Sequence, residues 1–210
     1  MIKITVGDLY YAFATVDENT GEITGYKTTI ASSVVKNIST TENADTTTVR
    51  ASGQDFTTIR NVENIELAVE TIAFPREDLA MMRSEEVTSS GLVFSGRGSE
   101  RPYFAFGMVV KKSGDEERWV WFPRCQLIEN TDDIATSEDS FSEQNDTLTI
   151  RVFAFNEHGD NKVYVDSEFS SFPAGLAEET FFTKPILTDA DITAAVSAKV
   201  PLKATAAKGE

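Results

Sequence analysis

Alternation of apolar and polar residues with a period of two runs through most of the chain and predicts strands. Its clearest stretch is Asn61–Phe74, where Ile65, Leu67 and Val69 point one way and Asn64, Glu66, Ala68 and Glu70 the other. Such a strand buries one face and leaves the other wet and acidic. Upstream, Asp8–Val16 and Glu22–Ile30 flank the turn-rich Asp17–Gly21 and read as a hairpin. Val34–Thr40, the Thr-rich Asp45–Ala51 and Phe56–Asn61 form a second group of short strands. The strongest hairpin joins Pro102–Lys112 to Glu117–Leu127 through Ser113-Gly114-Asp115. There Phe104, Phe106, Met108 and Val110 share one face, and Trp119 and Trp121 alternate with Val120 and Phe122, a density that fits a pleated, half-buried surface. A last hairpin is predicted from Thr147–Asn156, with Leu148, Ile150, Val152 and Ala154 on one face, and Lys162–Asp166.

A period near 3.6 shows at one place only. Pro75 suits a helix start, Glu77 and Asp78 complement the positive end of its dipole, and Arg83 falls near the last turn. Leu79 and Met82 supply a small apolar stripe, so Pro75–Glu85 is predicted as one short amphipathic helix with the Met81-Met82 pair used in packing. Glu129–Asp146 carries seven acidic residues and no Lys or Arg, and reads as a long exposed loop. After Ser167 the pattern decays into Ser, Ala and Thr with Phe169, Phe172, Phe181 and Phe182. The reading is therefore a mainly β body over residues 1–166 with one short flanking helix, followed by an arm, 167–210, with little core of its own.

With 210 residues, 40% of them hydrophobic, the chain is long enough for one domain with a substantial core. Its formal charge of −15 repels phosphates and anionic membranes, which argues against a tight nucleic-acid clamp. The longest nearly apolar run, Tyr103–Val110, is far short of the roughly 20 residues that cross a bilayer, and the first residues lack a signal-peptide pattern. One cysteine and one histidine leave no material for a zinc site and suit a reducing compartment.

Catalytic patterns are equally thin. His158 sits in a predicted turn between Glu157 and Gly159, where a general base lacks enclosure and an orienting partner. Cys125 falls inside a strand and reads as a packed thiol. Gly96-Arg97-Gly98 lacks the third glycine and the following helix of a dinucleotide loop, and Asp189-Ala190-Asp191 lacks the glycine and terminal Glu of a calcium loop. Asp132-Asp133 offers paired carboxylates without an aromatic platform around them, which makes glycoside hydrolysis a poor reading. No cofactor and no enzymatic activity are expected.

Four stretches taken together carry a family resemblance: Asp8-Leu-Tyr-Tyr-Ala-Phe13, the acidic strand ending in Phe74-Pro75, Pro102–Val110 leading to Arg118-Trp-Val-Trp-Phe122, and Thr147–Phe155 followed by Lys162–Asp166. In that order, over about residues 1–166, the chain resembles the major tail protein, or tail tube subunit, of long non-contractile-tailed bacteriophages. The resemblance implies a β-sandwich or barrel-like domain that assembles as hexameric rings, stacks them into a tube, and lets double-stranded DNA pass without specific binding. Its implied partners are further copies of itself, a tail terminator, and baseplate and tape-measure proteins; its implied place is the virion tail, assembled in the host cytoplasm, with no membrane contact. Within that picture Glu66 and Glu70 are the candidates for the lumen lining. Asp45, Thr47, Arg50 and Gln54, in a hairpin loop over Thr40–Arg60, are candidates for reaching the next ring, and Phe181 and Phe182 for docking the arm onto a neighbour. The alternative is a non-catalytic β-sandwich binding module, a virion decoration or carbohydrate-binding domain, stacking its ligand on exposed Tyr10, Tyr11, Trp119 and Trp121.

Overall fold

The computed structural model describes residues 1–210 except 52–53, 97–99, 133, 135, 137–144 and 199–210; at 45–47, 49, 51 and 54–63 only the backbone is described. The chain is mainly β. Among the described residues eleven strands follow one another as β1 (Lys3–Val16), β2 (Ile23–Tyr26), β3 (Ile30–Ser32), β4 (Val35–Ala51), β5 (Gln54–Thr71), β6 (Glu86–Val87), β7 (Val93–Phe94), β8 (Phe104–Lys112), β9 (Glu117–Asp132), β10 (Asp146–Val152) and β11 (Val163–Asp166). The described residues also form the helices α1 (Arg76–Met82) between β5 and β6, and α2 (Glu178–Phe181) and α3 (Asp189–Ser197) after β11. The predicted helix is α1, and α2 and α3 are additions within the arm.

One antiparallel sheet runs β2-β1-β8-β9-β10-β5-β4, with β3 added to β1 and β11 to β9. It folds over on itself, so that Leu9, Tyr11, Phe104, Phe106, Val120 and Phe122 from one half meet Ile65, Leu67, Val69, Leu148 and Ile150 from the other in a first core. The hinge between the halves lies in β9. Pro123 has no N–H to give to a ladder. Around it the β8–β9 register slips between Phe104 and Phe106, and the β9 carbonyl at Pro123 accepts the Tyr26 hydroxyl instead, at 2.9 Å.

The same proline explains a departure from the predicted last hairpin. β10 and β11 do not pair with each other. Both run antiparallel to β9 along one edge, β10 on Cys125–Asp132 and β11 on Arg118–Trp121. Where β9 offers Pro123, the chain leaves the sheet, makes the excursion through His158, and returns in line. The predicted loop 129–146 is also shorter than its polarity suggests, because β9 continues to Asp132 and β10 begins at Asp146. The Val34–Thr40, Asp45–Ala51 and Phe56–Asn61 strands fuse with their neighbours into the two long strands β4 and β5, paired from Val35↔Thr71 to Ala51↔Gln54.

Residues after Ser167 form a second layer. Leu176, Phe181, Phe182, Ile186 and Ala195 pack on the outer face of the first half-sheet, against Ala105, Val109, Trp119 and Trp121, in a second core. The arm therefore belongs to the packed body of the protein over its described length.

Candidate assembly surfaces

The surface singled out from the sequence is the outer face of the second half-sheet. On β5 the side chains of Asn64, Glu66, Ala68 and Glu70 point away from the core while Ile65, Leu67 and Val69 are buried. Register carries the pattern sideways: Glu66 faces Arg151 on β10 and Thr41 on β4, and Ala68 lies between Thr149 and Ser39. Asn43 Nδ2 donates to Asn64 Oδ1 at 2.8 Å. Hydroxyls, amides and small side chains thus cover most of this face, and no described element packs over it.

Both candidate carboxylates have partners. Arg151 donates to Glu66 Oε1 at 2.7 Å, both side chains being about a third exposed. Glu70 lies 3.7 Å from the Lys36 ammonium and accepts from Asn145 Nδ2 at 2.9 Å. With Glu129 opposite Thr149, the described face sets three carboxylates against two cations. The charge of the chain is not concentrated here.

The inter-ring candidates fall on a ribbon, not a loop. Asp45 pairs with Asn61, Thr47 with Ile59, Arg50 with Asp55, and Gln54 with Ala51, all within the β4–β5 ladder. The side chains of Asp45, Thr47 and Gln54 lie outside the described residues; Arg50 is exposed. β10 accompanies β5 only from Ile65 to Thr71, so Gln54–Asn64 and the matching part of β4 continue as two strands alone. At about 3.3 Å per residue this ribbon reaches roughly 35 Å beyond the third strand. β4 is the last strand of the sheet, bonded as a strand on one side only.

Phe181 and Phe182 do dock, but onto their own chain. Phe181 is fully buried and Phe182 nearly so. Phe182 stacks on Tyr10 with ring centroids 3.9 Å apart and tilts against Trp121 at 5.3 Å, while Phe181 lies 5.6 Å from Trp119. The Trp121 indole N–H donates to the Phe181 carbonyl. They are thereby withdrawn from contact with a neighbour. The same packing removes the stacking platform of the binding-module alternative: Tyr11, Trp119 and Trp121 are buried and Tyr10 lies under Phe182. Tyr10 donates to Glu178 and Tyr11 to Asp78, each at 2.6 Å, and burial pushes both phenols far up.

His158 is exposed in its turn, with its backbone N–H on Asn156 Oδ1. Cys125 is buried, its thiol pushed well up by desolvation. Lys112 and Asp166 form a buried ion pair that sequence spacing does not reveal: the ammonium reaches both carboxylate oxygens at 2.6–2.7 Å, and Arg118 donates to the same carboxylate at 2.7 Å. Burial opposes the Asp166 charge, and those donors outweigh it and hold the carboxyl below its usual range. Among the described residues no group of three His, Cys, Asp or Glu side chains is arranged to hold a metal, and no helix is long and apolar enough to cross a membrane.

Neither a family model nor a curated protein matches the sequence. Among solved structures, a chain of the anti-feeding prophage (AFP) baseplate, determined by cryo-EM and 6-fold symmetrised, is similar at 11% identity and a TM-score of 0.44, over 80% of this chain and 99% of that one.

Proposed function

We propose that this chain is a structural virion protein, a tail tube subunit that polymerises as stacked hexameric rings into a conduit for double-stranded DNA. The observation that carries the reading is the β4–β5 ribbon with the open edge of β4. An isolated two-stranded ribbon is at best marginally stable in water, and an unpaired strand edge is a template for another chain. Seventeen residues of β4 present such an edge. A neighbouring subunit that adds a strand there satisfies the backbone and stiffens the ribbon together. The bare outer face of β4, β5 and β10 then becomes the wall of the tube. Its weakly acidic, hydroxyl-rich surface has few cations to grip phosphates, which suits passage of a duplex without binding. A terminator, baseplate and tape-measure protein are the partners this role requires.

Electron microscopy of concentrated protein tests the proposal. Six-fold rings or tubes are expected, forming more completely as salt rises, because a chain of charge −15 repels its copies until screening shortens the repulsion to about 10 Å near 0.1 M. A protein that sediments as a monomer at every concentration and salt tried would overturn it.

A further inference from the structure

At the β9 hinge several segments converge on a cleft of about 470 Å³, a volume within the range of small-ligand sites. They are the turn before β2, β2 itself, the hinge at Arg124, the start of the excursion after β10, and the arm at Leu187. Both turns are braced from within. Asp17 Oδ1 accepts from the Asn19 and Thr20 N–H groups at 2.8 and 3.1 Å. Asn156 Oδ1 accepts from the His158 and Asp160 N–H groups, and its Nδ2 donates to the Asp160 carboxylate, all at 2.8–3.1 Å. The walls are therefore set before a ligand arrives, which lowers the cost of binding one.

The cation in this cleft lacks an anion. Arg76, Arg83, Arg118 and Arg151 each meet a carboxylate at 2.7–3.5 Å. Among the described residues Arg124 meets none, in a chain whose formal charge is −15. Its guanidinium lies over the Tyr103 ring, 4.6 Å from the centroid. Nη2 donates to the Tyr103 hydroxyl at 3.3 Å, longer than the roughly 2.7–2.9 Å of a bond to an anion. Nε is buried without an acceptor. A half-buried fork of this kind is short of the planar anion that fits it. The rest of the lining divides in two. Ile23 and Phe155 are half-buried and, with Leu187, make it apolar; Glu22 and Glu157 are exposed carboxylates whose side chains have no partner among the described residues.

We propose that this cleft binds a small zwitterion with an apolar body, the chemistry of a free aliphatic amino acid or of a short apolar peptide. Arg124 takes the carboxylate, Phe155, Ile23 and Leu187 cover the body, and Glu22 and Glu157 receive the ammonium. The three unpartnered charges select this class. A simple anion satisfies the arginine but gives the two glutamates nothing, and a simple cation leaves the arginine orphaned. A polyanion is repelled by the glutamates and by the charge of the whole chain. A ligand carrying both signs answers all three groups, and its apolar middle is the part that the remaining wall can cover. The inference is independent of the assembly reading, whose β4–β5 ribbon contributes no residue to this cleft.

The test is calorimetric titration of the full chain with L-leucine and with L-leucyl-L-leucine, beside leucinol, which lacks the carboxylate, and isocaproate, which lacks the ammonium. Saturable binding of leucine or the dipeptide is expected, with each analogue weaker by about tenfold or more because it leaves a charged group unanswered. Tighter binding of leucine assigns the site to a free amino acid, and tighter binding of the dipeptide to a peptide. Arg124→Gln should remove carboxylate selectivity, so that leucine binds no better than leucinol. Glu157→Gln, at an exposed position where the fold tolerates change, should narrow the preference for leucine over isocaproate. Wild-type protein that neither zwitterion saturates, or that binds leucinol and isocaproate as well as leucine, would overturn the proposal without needing a variant. Tubes that form from a chain binding no zwitterion would remove this site and leave the assembly reading standing.

Discussion

β8 and β10 flank the same strand, β9, yet β8 is buried on both faces and β10 on one. In β8, Phe104 and Phe106 enter the first core while Ala105 and Val109 enter the second. In β10, Leu148, Ile150 and Val152 are buried while Thr147, Thr149 and Arg151 face outward. The difference is the arm. It covers the first half-sheet with Phe181 and Phe182 and leaves the second bare. A sheet covered on both sides reads as a continuous apolar run, and one covered on a single side as alternation. The comparison shows which face the chain completes for itself and which it leaves for another use: among the described elements the covered half ends in the four-residue β2, and the uncovered half ends in the seventeen-residue β4 of the projecting ribbon.

The largest effect that sharpens this contrast comes from the arm. Phe182→Ala or Phe181→Ala removes a buried ring from the second core and should cost about 3–5 kcal/mol, measured by denaturant unfolding. The loss should appear in the isolated monomer. If the phenylalanines served a neighbour instead, the monomer would be indifferent and only the assembly would weaken.

A smaller effect tests how closely the arm fits. A Cβ at Gly107 would meet Phe182 Cε1 at 2.8 Å and Trp121 Cε3 at 3.1 Å. Gly107 sits there because the Phe182 ring lies flat on that part of the strand. Gly107→Ala should cost about 1–3 kcal/mol by overpacking. Combined with Phe182→Leu the two losses should be less than additive, because the shortened side chain makes room. Full additivity in a double-mutant cycle would break the claim that this contact sets the glycine.

Much of this contrast is legible in the sequence, and the part that is not has a physical cause. Ile65, Leu67 and Val69 against Glu66 and Glu70 mark the one-sided strand directly, whereas the Phe104–Val110 run with Trp119–Phe122 reads as a half-buried surface and is buried on both faces in the structure. What covers those faces is not legible. The arm meets the sheet through a few anchors, Leu176, Phe181, Phe182 and Ile186, set in irregular backbone, and anchors without a period leave no pattern to read. The long ribbon reads as separate pieces because its Thr-rich middle carries no apolar alternation. The β10–β11 hairpin fails because Pro123 interrupts the strand beside it, an effect that alternation within β10 and β11 does not register. Of the candidate residues, Glu66 and Glu70 do share the bare face, but their neutralising partners, Arg151 and Lys36, come from strands 85 and 34 positions away and depend on register. Register is set by tertiary pairing.

On the bare face substitutions should matter little to the monomer. Glu66→Gln loses the charge of a pair that is about a third exposed on both sides. Solvent screens it, so a destabilisation below about 1 kcal/mol is expected, shrinking further in high salt. A loss of several kcal/mol would mean that the fold depends on this face as heavily as on the covered one.

The smallest effect has the opposite sign and lies under the arm. Burial pushes the Glu178 carboxyl up, the Tyr10 hydroxyl that it accepts pulls it down, and Glu117, Asp8 and Glu179 push it up again. The folded protein therefore holds this proton more tightly than the unfolded chain, whose glutamates titrate near 4.3. The stability that Glu178 contributes is complete below that value and is lost as pH rises through the folded one. Glu178→Gln keeps an oxygen for Tyr10 and removes the charge, so it should slightly raise the melting temperature at pH 7 and leave it unchanged near pH 3. A carboxylate-to-amide change that stabilises beneath the arm and weakens on the open sheet would separate the two halves by the sign of one substitution. Equal destabilisation at both sites would show that Glu178 is needed as an anion by Tyr10, and that the arm is held by charge as well as by its rings.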